Sequence, residues 1–212
     1  MVWTFGEDPL PQTEELAARL RRLASRAVSM EEPRDELADL IAQLDAVELA
    51  LEAAGPADLA PRVGDAADTD GRVYVDHSRD IGAFNPVFPT YAIDVDDDHA
   101  SGTVEFPVVY EGPPGIVHGG FIAVFFDCVI QHHNCDVGTA GKTTRLDVRF
   151  KRPTPLRTPL TFTIDRIVRG DRIESQAQLL LGGRPCAEAT MEAIAGDRSA
   201  LPPVSNRRGV PR

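Results

Sequence analysis

The chain has 212 residues, and its 22 basic and 33 acidic side chains give a net charge of −11. This charge argues against nucleic acid or an anionic membrane as the main partner. Apolar residues make up 42% of the chain, as in ordinary globular proteins, and no apolar run reaches the roughly 18 residues of a membrane-spanning helix. We therefore predict neither a nucleic-acid-binding protein nor a membrane protein.

The cysteines and the first residues bear on cellular location. The sequence has 3 cysteines, an odd number without the spacing of a disulfide framework. The first eight or so residues lack the basic and apolar regions of a secretory signal. Both features favour a cytoplasmic protein.

The N-terminal quarter, rich in Ala, Leu, Glu and Arg, is typical of helices. Leu16, Leu20 and Leu23 recur at steps of three and four residues, and a second such series starts at Leu37. Pro33 suits the first turn of the second helix. We therefore predict a helical hairpin extension, a linker, a folded domain and a disordered tail, at residues 1–55, 56–72, 73–197 and 198–212.

The folded domain shows the pattern of several strands and one helix. Two strand-like runs cover residues 91–95 and 101–106, and four more follow at residues 143–151, 160–168, 172–181 and 186–194. The dipeptide Gly170-Asp171 predicts a tight hairpin turn between two of them. This order indicates an α+β fold in which an antiparallel sheet wraps around one central helix.

The predicted helix carries the most informative residues. It opens with His118, Gly119 and Gly120, and Asp127 interrupts a run of apolar residues over 121–130. Apolar residues on all sides predict a helix that is buried on all sides, where an unpaired carboxylate is costly. Free N–H groups at the helix start bind anions. We therefore predict an active site along this helix.

Over about residues 84–195 the chain resembles hotdog-fold acyl-CoA thioesterases, in the branch similar to phenylacetyl-CoA thioesterase. The motif is His118-Gly119-Gly120 with Asp127 nine residues after the histidine, followed by Thr143-Thr144 and a strand that ends in Lys151-Arg152-Pro153. The resemblance implies a hotdog fold, an acyl-CoA substrate, no cofactor, and a homodimer or dimer of dimers with sites between subunits.

The chemistry assigns a role to each position. The Gly119 N–H is predicted to stabilise the oxyanion, and Asp127 to act as general base or as nucleophile. By resemblance, Thr143 orients the water or the acid, while His118 either binds the carbonyl side or holds the loop. The expected substrate contacts are Gly120, Phe121, Thr144, Lys151 and Arg152, and the pocket floor is predicted to contain Phe84, Phe88, Phe121 and Phe125.

The spacing of the two central residues predicts a composite site. Gly119 and Asp127 are eight residues apart, which is about 12 Å along a helix, so one carbonyl cannot contact both. An antiparallel second copy of the helix could bring its acid beside the first copy's N-terminus. A two-fold dimer would then hold two sites, each using residues of both chains.

Two features depart from the resemblance. Many relatives carry Asn or Gln six residues before the histidine, where this chain has Gly112. After Asp127, the face shared by Cys128 and His132 permits metal ligation, although a polar helix end is the simpler interpretation and no metal site is predicted.

Each assignment has a structural alternative. Asp127 could be a structural acid bonded to neighbouring hydroxyls or backbone, and Thr143 could be only a β-branched strand residue. The two glycines could serve close helix–strand packing, and Lys151-Arg152 could be a solvated strand end. At the level of function, a non-catalytic hotdog protein that binds acyl-CoA or serves assembly is the second hypothesis. A hotdog hydratase or dehydratase is the third.

Overall fold

The computed structural model describes residues 6–63, 71–138 and 141–196, so the predicted tail at 198–212 lies outside the described residues. The helices are α1 (Pro11–Ala27), α2 (Asp35–Ala54), α3 (Ile81–Phe84) and α4 (Gly119–Asp136), with a 3₁₀ turn at Val108–Tyr110. The strands are β1 (Asp58–Pro61), β2 (Gly71–Arg72), β3 (Tyr91–Asp96), β4 (His99–Val104), β5 (Gly141–Phe150), β6 (Leu160–Arg169), β7 (Arg172–Leu181) and β8 (Arg184–Ala195).

Six strands form one antiparallel sheet in the order β3-β4-β6-β7-β8-β5, and α4 packs against β5, β7 and β8. The predicted hotdog arrangement, a sheet wrapped around one helix, is confirmed. The turn between β6 and β7 also agrees with the prediction, because Gly170 adopts a φ of 66° that favours glycine. Strand β5 follows α4 in the chain and forms one edge of the sheet.

The side of α4 that faces the sheet forms the core. Phe125 and Phe126 are 0% exposed, and the Phe125 ring centroid lies 5.4 Å from that of Phe162. Phe88 is 3% exposed and stacks on Phe125 with centroids 6.2 Å apart. Both rings are enclosed by other side chains within one chain, and the prediction that Phe88 and Phe125 line a pocket floor stays a prediction.

The opposite side of α4 is open. Phe121 is 37% exposed and Val124 is 51% exposed, and Asp127 and Gln131 on the same side are half-buried. Within one chain, the prediction of a helix buried on all sides is wrong, because a single sheet covers only one side. The uncovered side is apolar around one carboxylate.

Both predicted N-terminal helices are present, but α1 packs on α3 and on the 3₁₀ turn rather than along α2. The buried face of α1, which includes Ala17 and Arg21, is directed toward the folded domain. Consequently α2 buries none of its side chains, and Ile41 is 53% exposed. The hairpin packing predicted from the two apolar stripes is therefore not observed.

The region between α2 and the folded domain contains a short parallel pairing of β1 with β2, inside the predicted linker. Along the described parts of the chain, helices are either too short or too polar to cross a membrane.

Candidate active site

The first turn of α4 is held by the histidine that precedes it. The His118 N–H donates to the Tyr110 carbonyl at 2.9 Å, and its Nδ1 accepts from the Gly120 N–H at 3.0 Å. His118 therefore caps the helix and occupies the Gly120 N–H with this hydrogen bond. The Gly119 N–H has no acceptor among the described residues, and the helix dipole adds positive potential at this point.

An aromatic ring lies against the glycine at the helix start. A Cβ at Gly119 would lie 2.9 Å from Cζ of Phe150. Phe150, which ends β5, is 58% exposed, so its ring is a wall of the site that the sequence did not identify. Phe121 forms a further wall, with its ring centroid 5.0 Å from that of Tyr110.

The acid lies at the other end of the same open side, in a chain of hydrogen bonds. The Thr143 Oγ1 donates to Asp127 Oδ1 at 3.0 Å, and Gln131 Nε2 donates to the Thr143 Oγ1 at 2.8 Å. Since a threonine hydroxyl has one proton, the Gln131 bond directs that proton to the carboxylate. The predicted proximity of Thr143 and Asp127 is thus observed.

Gln131 was not predicted, although its position carried a signal. It lies four residues after Asp127, which places both side chains on one face of the helix. Strand β5 runs antiparallel to α4, so that Thr143 near its start lies beside Asp127 and Phe150 at its end lies beside Gly119.

Two thiols of α4 are poor nucleophiles at neutral pH. Burial, together with the Asp127 carboxylate, raises the pKa of Cys128 to about 12. Burial likewise raises the pKa of Cys135 to about 12. Both groups therefore remain protonated and act as small apolar side chains.

The His132 ring, which shares a helix face with Cys128, is held by neighbouring side chains. Its Nδ1 accepts from the Tyr91 hydroxyl at 2.6 Å, and its Nε2 lies 3.3 Å from Asp136 Oδ2. Burial lowers the pKa of His132, against the opposing effect of Asp136, which favours the neutral ring that can accept at Nδ1. In the described ranges no three His, Cys, Asp or Glu side chains cluster as metal ligands.

The structure explains the glycine at position 112. Its N–H donates to the Ile116 carbonyl at 2.9 Å, and a Cβ there would lie 2.8 Å from the His118 Cα. A side chain at this position would collide with the backbone that carries the helix cap. The oxyanion site therefore has no side-chain donor from Gly112.

The remaining predicted contacts are divided between two places. Lys151 Nζ pairs with Glu188 Oε2 at 2.9 Å, and Arg152 Nη1 donates to the Pro185 carbonyl at 2.7 Å, both just beyond Phe150. Thr144 instead donates to the Glu192 carbonyl at 3.0 Å, at a bulge in β5. The basic pair thus lies near the start of α4, whereas the Thr144 side chain is not joined to Asp127 and Thr143.

Comparison with known proteins supports a thioesterase-like fold. No known family model matches the sequence. The chain is similar to a solved thioesterase superfamily protein, with 27% identity, a TM-score of 0.71, and coverage of 91% of this chain and 96% of that chain. The resemblance to the thioesterase superfamily is thereby confirmed, and it extends well beyond residues 84–195.

Two further solved structures are similar over half of the chain. One is a hypothetical thioesterase protein with coenzyme A from Streptococcus pneumoniae TIGR4, with 20% identity, a TM-score of 0.47, and coverage of 51% and 91% of the two chains. The other is thioesterase superfamily member 2 from Mus musculus, with 14% identity, a TM-score of 0.46, and coverage of 50% and 82%. Since both TM-scores are below 0.5, the shared fold rests on the first structure.

Proposed function

We propose that the protein hydrolyses acyl-CoA thioesters at sites formed between two copies of the chain. The observation that carries this proposal is the hydrogen-bond chain from Gln131 through Thr143 to Asp127, on the same open side of α4 as the Gly119 N–H. The likeness to a solved thioesterase superfamily protein supports the same reaction class.

In the proposed reaction, Asp127 accepts a proton from a water molecule as the water oxygen bonds to the thioester carbon. The carbonyl electrons move to oxygen, where the Gly119 N–H of the other copy stabilises the negative charge. Collapse of this intermediate breaks the C–S bond. The sulfur leaves with its electron pair and receives the proton from Asp127, giving a free acid and the coenzyme A thiol.

Direct attack by Asp127 is the other route to the same products. It would expel the thiolate and give a mixed anhydride, which water then cleaves. The two routes differ in the carbon to which the water oxygen can bond, since only the anhydride route offers the Asp127 carbonyl carbon. In ¹⁸O water, label on Asp127 after a single turnover would establish the anhydride route with water attack on the Asp127 carbonyl. Label in the free acid alone would fit the general-base route or water attack on the acyl carbonyl of the anhydride.

We propose two copies because Gly119 and Asp127 of one chain are too far apart to contact the same thioester carbonyl. The open side of α4 and the uncovered edge of β5 lie together, and both present groups that a second copy can cover. Phe121 and Phe150 would then contact the acyl group or the pantetheine arm. Lys151 and Arg152 would contact the coenzyme A phosphates, with His118 and Gly120 shaping the helix start.

A non-catalytic hotdog protein that binds acyl-CoA or serves assembly is the second candidate. The observation that favours it is Gly112, where the contact with His118 excludes a side-chain donor to the oxyanion. Such a protein would bind the thioester without accelerating its hydrolysis.

The test is thiol release from a panel of short, long and aromatic acyl-CoAs. We expect turnover by the wild type and a loss of about 100-fold or more in kcat for Asp127→Asn. Asp165→Asn, which removes an exposed carboxylate from β6, is the matched control and should keep full activity. Tight acyl-CoA binding without turnover would establish the second candidate, while equal turnover by all three proteins would exclude Asp127 from the reaction.

A further inference from the structure

A cavity of about 930 Å³ lies between α1 and the folded domain, apart from the candidate active site. Residues of α1 form one wall, and Thr90, Glu105, Val108 and Arg157 contribute to the other. Neither α4 nor β5 contributes a lining residue. The cavity is therefore a separate place on the molecule.

The charge of this cavity is opposite to that of the whole chain. Its lining contains four arginines, Arg21, Arg22, Arg26 and Arg157, and one acid, Glu105. The complete sequence has a net charge of −11. A local excess of positive charge in a concave surface attracts and concentrates anions.

Arg21 is fixed at the base of the α1 wall. It is 6% exposed, and its Nη2 donates to the carbonyls of Gly82 at 2.8 Å and Asn85 at 2.7 Å. Among the described residues its Nε has no hydrogen-bond partner, and no described carboxylate lies within ion-pair distance of the guanidinium. Burying a charge without an opposite charge is costly, so an anionic ligand beside Arg21 would be stabilising.

The other three arginines also lack carboxylate partners among the described residues, unlike Arg19 on the same helix, which pairs with Glu15 at 2.6 Å. Arg22 and Arg26 are one turn apart and share the face of α1 that lines the cavity. Arg157 lines the same cavity from the loop before β6, where its N–H donates to the Phe106 carbonyl at 2.9 Å. Arginines thus line the cavity from two elements.

We propose that this cavity binds a phosphorylated small molecule of nucleotide size through its phosphate groups. Arginine forms paired, charge-assisted hydrogen bonds with phosphate, and several arginines around one space suit a diphosphate. The volume is within the range of ligand pockets, and Met30 and Val108 offer apolar surface for a ring. The proposal is independent of thioester hydrolysis, because the two sites share no residue.

Titration calorimetry with inorganic pyrophosphate on the full chain tests the proposal. We expect wild type to bind, and Arg22→Gln/Arg157→Gln to bind about tenfold or more weakly, because each change removes charge-assisted hydrogen bonds. Arg26 stays unchanged, since it also interacts with the C-terminal end of α1. Arg19→Gln/Arg184→Gln removes the same charge elsewhere and should bind like wild type.

The outcomes separate the proposal from the proposed hydrolysis. Equal weakening in both double variants, or no pyrophosphate binding by folded wild type tighter than about 1 mM, would overturn it. Asp127→Asn should bind pyrophosphate normally whatever its hydrolytic activity. Displacement of pyrophosphate by coenzyme A would identify the nucleotide end of a thioester as the occupant, and displacement by ADP alone would identify a separate nucleotide.

Discussion

Mixing two inactive variants would test whether each site uses two chains. Asp127→Asn removes the acid, and Gly119→Val places a branched side chain where a Cβ would already lie 2.9 Å from the Phe150 ring. Each variant alone should be inactive for a different reason. A dimer with one chain of each kind contains one site in which Gly119 and Asp127 are both intact.

The expected magnitude follows from the geometry. Gly119 and Asp127 of one chain are about 12 Å apart along α4, so each proposed site takes one residue from each chain. With random pairing, half of the dimers are mixed and one of their two sites is intact, so co-expression should restore about one quarter of wild-type activity. Differently tagged chains, purified through both tags, allow the activity of mixed dimers to be measured directly by thiol release.

A second mixture provides the control. When both substitutions are placed on one chain and mixed equally with wild type, every mixed dimer should be inactive. Activity should then fall to about one quarter of that of undiluted wild type, whereas sites within single chains would leave about one half. Inactive mixed dimers of the two single variants, folded and of the correct stoichiometry, would refute the composite site.

Three further predictions concern individual side chains. Thr143→Val should lower kcat about tenfold with little change in KM, because Asp127 loses a donor, and Thr143→Ser should restore it. Gly112→Ala should destabilise by about 1–3 kcal/mol in urea unfolding, since its Cβ would lie 2.8 Å from the His118 Cα. Because burial lowers the pKa of His132 below its ordinary value of 6.5, the unfolded chain binds more protons there below that pH. Stability should therefore fall as pH drops from 7 toward 5, and the fall should be smaller in His132→Asn; an unchanged slope would contradict this.

The regular strands and the central helix were predictable because their signals are local. Alternation and glycine turns placed β6 and β7 within a residue or two, since each strand's burial pattern depends on one sheet face. The packing of α1 was not predictable in the same way. Its apolar stripe was consistent with packing against α2 in a helical hairpin. Its actual contacts with α3 depend on the tertiary arrangement, which periodicity does not encode.

In the candidate site, too, some residues were predictable from the sequence and others were not. The motif indicated Gly119 and Asp127, and spacing alone excluded their joint contact with one carbonyl in one chain. Phe150 was missed because strand pairing, not sequence proximity, brings its ring to the start of α4. Gln131 could have been found from its position four residues after Asp127, but its role depends on the Thr143 hydroxyl between them.

The open side of α4 links the fold to the proposed chemistry. In one chain Asp127 is half-buried, so water still reduces the cost of its charge. A second copy covering Val124 and Phe121 would remove apolar surface from water and lower the dielectric around the acid and the Gly119 N–H together. Assembly would thus strengthen the stabilisation of the oxyanion. The apolar residues around Asp127 would then serve the proposed reaction through the proposed dimer, because the sheet of one chain already has its own core in Phe125 and Phe126.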